Sequence, residues 1–256
     1  MLFQDIIFGP IKSRRLGVSL GINLLPINGK LCSFDCIYCE CGFNADGKNS
    51  SKLPSRAEVK EALEKKLISM QQEGIKPDVL TFAGNGEPTL HPDFAEIIED
   101  TIATRDKYAP FSKISVLSNA STIHKDSVFE ALKKVDNNIL KLDTALDSKL
   151  QLIDQPNSKE LNIKELTKNL KKFEGKLIIQ TIFLKGRHLG QSVDNTGAQE
   201  VEAWIKLILE IKPKQVMIYT IDRETPSKTL EKASLSELEK IAKTLRDKGF
   251  EVSVAG

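Results

Sequence analysis

From about residue 19 onward, short runs of apolar and β-branched residues alternate with longer segments of helical spacing, as far as the end of the 256-residue chain. Nothing else in the sequence restricts the fold so strongly. Parallel strands need a crossover of a dozen or more residues, and a helix is the usual means, so this rhythm implies βαβ units and a parallel sheet. The pattern predicts strands over 19–25, 78–83, 113–118, 138–143, 177–183 and 215–219, with a short last one over 251–254. It predicts helices over 58–71, 93–104, 126–134, 163–173, 200–211 and 235–248. The first of these carries Val59, Leu63, Leu67 and Met70 at helical spacing. Six strand–helix pairs fit an α/β fold of the partial (β/α)6 TIM-like barrel kind better than a closed eightfold barrel. A doubly wound open sheet fits the same pattern. The expected organisation is one core domain over 1–256, with residues 1–17 as an N-terminal extension and 18–256 as the barrel.

Bulk properties exclude little beyond that. Hydrophobic content of 40% and charged content of 28% are those of an ordinary globular protein with a real core. A formal net charge of +2 neither demands nor excludes a nucleic-acid partner. No basic region followed by a long apolar run opens the sequence, and no apolar stretch of about 18 residues occurs, so no membrane is expected. The expected location is cytoplasmic, where thiols stay reduced.

All four cysteines lie between Cys32 and Cys41, three of them in the order Cys32-Ser-Phe-Asp-Cys36-Ile-Tyr-Cys39. Disulfides are disfavoured in a reducing compartment. A structural zinc site takes four ligands, usually from two separated pairs, and Cys41 completing a C-x3-C-x2-C-x-C set is that alternative. Three thiolates at this spacing suit three irons of a [4Fe–4S] cube, with the fourth iron open to an exogenous ligand. The spacing, with an aromatic residue (Tyr38) before the last cysteine, resembles the radical S-adenosylmethionine (SAM) superfamily. The resemblance implies that Cys32, Cys36 and Cys39 ligate a [4Fe–4S] cluster. Its open iron chelates SAM, and reductive cleavage gives a 5′-deoxyadenosyl radical. Cys41 is then a bystander.

Other site residues are expected at the carboxyl ends of strands, where parallel α/β folds gather their ligands. The loop Gly84-Asn85-Gly86-Glu87-Pro88 follows the second strand, and glycines there let a ligand approach the backbone. By itself this is also an ordinary turn before a helix. It resembles the superfamily's GGEP element, which holds the SAM amino group, with Asn85 where that element has a glycine. Ser118 and Asn119 end the third strand, either as plain terminators or, by the resemblance, as contacts to the SAM carboxylate or ribose. Asp143, a charge closing an apolar strand, is either solvated or turned towards cofactor or substrate. Thr181, beside Gln180, is either a good strand former or an inward-facing cavity residue. Tyr219 sits where the family sets a backbone segment against adenine. Lys185, Arg187 and His188 follow the fifth strand and either bind an acidic substrate or form a solvated loop. Arg14 and Arg15 read as a surface basic pair, His91 as part of a helix entry, and His124 as structural or exposed.

Residues 8–26, 32–41, 84–92 and 219–223 together resemble one subgroup, the wyosine-synthase-like radical SAM proteins. Characterised members build the tricyclic base of a tRNA and hold a second cluster with three additional cysteines. Cys41 is the one thiol left over here, so this chain does not supply that set. The leading expectation is a radical SAM enzyme acting on a tRNA nucleoside, a protein or a small molecule, reduced by a donor such as flavodoxin or ferredoxin. The alternatives are a radical-activating enzyme for a partner protein and a non-catalytic metal-binding module.

Overall fold

The computed structural model describes residues 2–13, 16–46 and 52–256. Arg14 and Arg15, and part of the Gly- and Asn-rich stretch 41–55, therefore lie outside the described residues. The chain divides into two compact units. The first comprises Met1–Cys32, Asn44–Ser118 and Thr122–Asn138, and the second Ser33–Phe43, Asn119–Ser121 and Ile139–Gly256.

In the first unit, β1 (Ile7–Ser13) runs antiparallel to β2 (Gly17–Ile22). Helix α1 (Arg56–Gln72) leads to β3 (Val79–Phe82), α2 (Phe94–Tyr108) to β4 (Lys113–Ser118), and α3 (Asp126–Leu132) to β5 (Asn137–Lys141). Strand order within this unit is β1-β2-β3-β4, with β2, β3 and β4 parallel. Every residue of β3 is buried, which explains why it does not alternate apolar and charged residues as a half-exposed strand would; its one polar residue, Thr81, bonds to the Ser19 hydroxyl at 2.8 Å. Helix α1 begins at Ser55, whose hydroxyl accepts from the Glu58 amide while Glu58 accepts in turn from the Ser55 amide. Such a capping box is worth about 1 kcal/mol. Val59, Leu63, Leu67 and Met70 form the buried stripe of α1, as the spacing predicts. Arg56 grips Asp100 of α2 through two hydrogen bonds of 2.6 and 2.9 Å. The Phe82 and Phe94 rings meet edge to face at 6.2 Å.

β1 is absent from the sequence expectation, which makes 1–17 an extension. Gly9 and Pro10 interrupt it and its described side chains are exposed or half-buried, as befits a sheet edge, so it carries no alternating apolar signal.

The second unit takes up β5 and continues with α4 (Asp147–Lys149), which runs into a π-helical turn over Leu150–Asp154, and then α5 (Ile163–Lys171). There follow β6 (Ile178–Ile182), β7 (Leu184–His188), β8 (Gln191–Ser192) and α6 (Ala198–Ile211). The unit closes with β9 (Gln215–Tyr219), β10 (Leu230–Lys232), α7 (Leu235–Arg246) and β11 (Val252–Ala255). Strands β5, β6, β9 and β11 pair in that order, all parallel, and β10-β7-β8 form a small antiparallel sheet. Trp204 of α6 is fully buried, meets Phe183 edge to face at 5.2 Å and donates its ring N–H to the Leu142 carbonyl at 3.0 Å.

All six strand–helix pairs expected from the sequence are present: β2–α1, β3–α2, β4–α3, β5–α5, β6–α6 and β9–α7. The small sheet and the π-helical turn are not anticipated. β8 is two residues long and wholly exposed, so no periodicity marks it.

Candidate functional site

Within the first unit the backbone on both sides of Cys32 is pinned. The Leu31 amide donates to the Asn85 carbonyl at 2.9 Å, and the Glu87 amide donates to the Leu31 carbonyl at 3.0 Å. Leu31 and Gly86 are thus bridged as if in a parallel sheet. On the other side, the Asn44 side chain accepts from the Cys32 amide at 3.2 Å and donates to the Cys32 carbonyl at 3.1 Å. The glycine loop therefore sets the position of the first cysteine.

The loop's composition follows from this docking. Gly86 has φ +139°, and a β-carbon there would sit on the Leu31 carbonyl, 2.5 Å from its carbon. Gly84 has φ +147°, and a β-carbon there would meet the Asn23 side chain, 2.8 Å from its Cγ. The Asn85 side chain is fully buried and clamps the N-terminal segment: it accepts from the Phe3 amide and donates to the Phe3 and Pro26 carbonyls, each at 2.8 Å. Glu87 accepts from both the amide and the hydroxyl of Thr89, capping the short 3-10 turn Pro88–Leu90. Sequence reasoning asks for glycine so that a ligand can approach; this unit's own packing already requires it. His91 is held at the entry to α2 by the Pro54 carbonyl and the Asp93 amide.

In the second unit the rest of the cysteine loop lies along the π-helical turn. The Asp35 amide donates to the carbonyls of Asp154 and Gln155, and the Ile37 amide to that of Ile153 at 3.0 Å. Ser33 bonds to the Ser121 hydroxyl at 2.6 Å and accepts from the Asn119 side chain at 2.9 Å, while Asn119 also accepts from the Ser121 amide. Asn119 is thus a clasp on the residue after Cys32. Ser118, which ends β4 in the first unit, is buried.

At the floor of this loop is a buried polar cluster that the sequence discloses only in part. The Tyr38 hydroxyl donates to Asp143 Oδ2, and Lys141 Nζ contacts both Tyr38 Oη and Asp143 Oδ2, the latter at 3.1 Å. Lys141 also lies 4.6 Å from the Tyr38 ring centroid and 3.6 Å from Asp154 Oδ1. The Cys36 sulfur is 3.5 Å from Asp154 Oδ1 and 3.7 Å from Lys141 Nζ. Asp143 Oδ1 accepts from the Ile182 amide at 2.9 Å. The Asp143 and Asp154 side chains are 0% and 1% exposed, and that of Lys141 18%.

Burial, with the Asp143 charge added, drives the Tyr38 hydroxyl far above its ordinary range, so it stays a donor. Burial and the Asp143 charge likewise raise Asp154 well above a normal carboxyl. For Lys141, burial alone would lower the pKa. The neighbouring acidic groups, Asp143 foremost and then Cys36 and Asp154, outweigh it, and the amine remains an ammonium group. Tyr219 lies near enough to Tyr38 and Lys141 to act on both. Sequence reasoning missed Asp154 and assigned nothing to Lys141. The available signal was Lys141 and Asp143 two apart, hence on one face of a strand end. Asp154 carries none, because a π-helical turn has no distinctive pattern.

The remaining predicted residues are more dispersed in role. Thr181 is 0% exposed and donates to the Leu142 carbonyl at 2.7 Å, the acceptor that Trp204 also uses. Lys185 pairs with Glu237. Arg187 closes its own hairpin on the Gly190 carbonyl, and His188 lies between Ser227 and Gln155. His124 is exposed.

None of the four cysteines is in a disulfide. Among the described residues no three Cys, His, Asp or Glu side chains are arranged around one centre. The donor chemistry nevertheless fits an iron–sulfur cluster: three thiols sit on eight consecutive residues whose backbone is anchored at Cys32 and along 35–39.

Residues 29–191 match the family model described as the radical SAM superfamily. A UPF0026 protein of Helicobacter pylori is 31% identical over 97% of this chain and 76% of its own length. A Brachyspira hyodysenteriae protein named GTPase Obg is 32% identical over 93% of this chain, which spans 33% of that relative. Among solved structures, a radical SAM methyltransferase from Sphaerobacter thermophilus superposes with a TM-score of 0.69 at 13% identity, covering 93% of this chain and 65% of that one. TYW1 with a lysine-pyruvate adduct bound gives 0.59 at 15% identity, covering 90% and 73%. The fold class is thus the partial (β/α)6 TIM-like barrel of these enzymes, and among the described residues no helix is long and apolar enough to cross a membrane. The chain belongs to the radical SAM superfamily and to the UPF0026 family.

Proposed function

We propose that Cys32, Cys36 and Cys39 hold a [4Fe–4S] cluster at which SAM is reductively cleaved, and that a nucleoside in tRNA is the substrate. The bound cluster supplies an electron, delivered by a cytoplasmic donor such as flavodoxin or ferredoxin, together with an open iron for the amino and carboxylate groups of SAM. The chain's own residues do the rest. Leu31, Asn44 and the Gly84–Glu87 loop fix Cys32, and Asn119 with Ser121 fixes Ser33. By the family resemblance, Gly84, Asn85, Gly86 and Glu87 would serve the SAM amino end, Ser118 and Asn119 its carboxylate or ribose, and Tyr38, Asp143 and Tyr219 its adenosine side. Thr181 serves the site through the Leu142 carbonyl it bonds, as a positioning residue. The observation that carries this reading is the docking of the backbone just before Cys32, the first of three closely spaced thiols, onto the glycine loop. The tRNA assignment rests on the resemblance over 8–26 and 219–223.

The test is anaerobic reconstitution followed by assay of 5′-deoxyadenosine. Cys32→Ala, Cys36→Ala and Cys39→Ala each abolish cleavage, while Cys41→Ser keeps most of it. Loss in Cys41→Ser equal to the other three would refute the ligand assignment. Affinity for tRNA that falls steeply with salt supports the RNA substrate; co-purification of a protein partner in its place would refute it.

A further inference from the structure

The superfamily reading leaves the half-buried Lys141 without a task, yet its placement is specific. It closes β5 and reaches under the cysteine loop, where three groups hold its ammonium: Tyr38 by ring face and hydroxyl, Asp143 at 3.1 Å and Asp154 at 3.6 Å. So held, it lies 3.7 Å from the Cys36 sulfur. A lysine clasped in this way loses most of its rotamer freedom, unlike one on a surface. In a water-poor site its charge also acts more strongly than in bulk solvent.

We propose that Lys141 is a positioning and tuning residue for the cluster, its ammonium donating to the Cys36 sulfur and making the cluster easier to reduce. The inference rests on the ligand assignment proposed above. When Cys36 ligates iron it gives up its proton, and the sulfur changes from a donor facing Asp154 to an acceptor. Lys141 places a cation 3.7 Å from that sulfur. Donors to ligand sulfurs, and nearby positive charge, favour the reduced cluster, which carries one more electron. Asp143 and Tyr38 then act as the clamp that keeps the ammonium from drifting.

The test compares reconstituted wild type, Lys141→Gln and Lys141→Arg by redox titration read from the reduced-cluster EPR signal. At matched iron content, Lys141→Gln shifts the oxidised-to-reduced ratio at a fixed poise at least tenfold towards oxidised, which is 59 mV for one electron. Lys141→Arg stays within about threefold of wild type. A Gln variant within threefold of wild type overturns the proposal, as does an Arg variant shifted as far as Gln. Because the Gln variant leaves Asp143 buried without its cation, a second measurement uses wild type alone. Protein labelled with 15N at the lysine ammonium shows a 15N hyperfine coupling to the reduced cluster, and absence of that coupling overturns the proposal. Wild type that takes up iron and cleaves SAM but shows no coupling defeats this inference only; wild type that takes up no iron defeats the ligand assignment and this inference with it.

Discussion

Replacing Gly86 by alanine should unfold the link between the glycine loop and the first cysteine. The new β-carbon would occupy the Leu31 carbonyl, 2.5 Å from its carbon, and φ at this residue is +139°, where side chains are strained. Holding an L-residue in such a conformation costs on the order of 1–3 kcal/mol. Relief requires Leu31 to retreat, which breaks the 2.9 Å bond from its amide to Asn85 and the 3.0 Å bond to its carbonyl from Glu87, at about 1 kcal/mol each. The expected loss is about 3–5 kcal/mol, a large part of the stability of an ordinary domain. Gly74 is the control: its φ of +71° is also positive, but nothing lies within 4 Å of an added β-carbon. Urea unfolding of the apo-protein under anaerobic conditions should place Gly86→Ala well below Gly74→Ala, which loses about 1–2 kcal/mol from its left-handed backbone alone. Iron uptake should fall for Gly86→Ala alone, because Leu31 carries Cys32 with it. Equal losses in the two variants would show that close approach of the two backbones is not what glycine is needed for.

Thr181→Val and Trp204→Phe each remove one of two donors to the buried Leu142 carbonyl, and each should leave that oxygen satisfied by the other. The double variant orphans it and should cost about 1–3 kcal/mol beyond the sum of the singles, readable as a coupling energy in a denaturation cycle. Glu237 is held down to about 2 by its hydrogen bonds with Lys185 and Ser234. Its folded value lies below the unfolded one, so its contribution is complete above about pH 4.5 and is lost as pH falls towards 2. Tm measured from pH 6 to pH 2 should therefore drop less steeply for Glu237→Gln than for wild type. Ser234→Ala, which deletes the capping box of α7, should lower stability by about 1 kcal/mol at neutral pH, seen as a shifted denaturation midpoint with unchanged slope.

Much of this protein is written locally. Elements buried on both faces announce themselves by composition, so β4 over Lys113–Ser118 and β9 over Gln215–Tyr219 are read to the residue. Helices α1, α5 and α7 are set by caps at Ser55, Asn162 and Ser234 and by buried stripes at helical spacing. The three-cysteine loop is also a local signal, because ligands a few residues apart need no tertiary structure to be recognised. Edge elements fail for the converse reason: β1 and β8 have little buried surface to impose a pattern.

The functions of individual side chains divide along the same line. Spacing alone determined that three thiols share one loop, that a glycine-rich turn follows the next strand, and that six βα units repeat. Tertiary structure decided why glycine stands at position 86, since Leu31 is 55 residues away in sequence and only folding brings its carbonyl there. It likewise brought Lys141 and Asp154 under Cys36, over separations of 105 and 118 residues. Contacts that distant leave no periodicity behind, because each partner's own segment is shaped by its strand or turn and carries no trace of the residue it will meet.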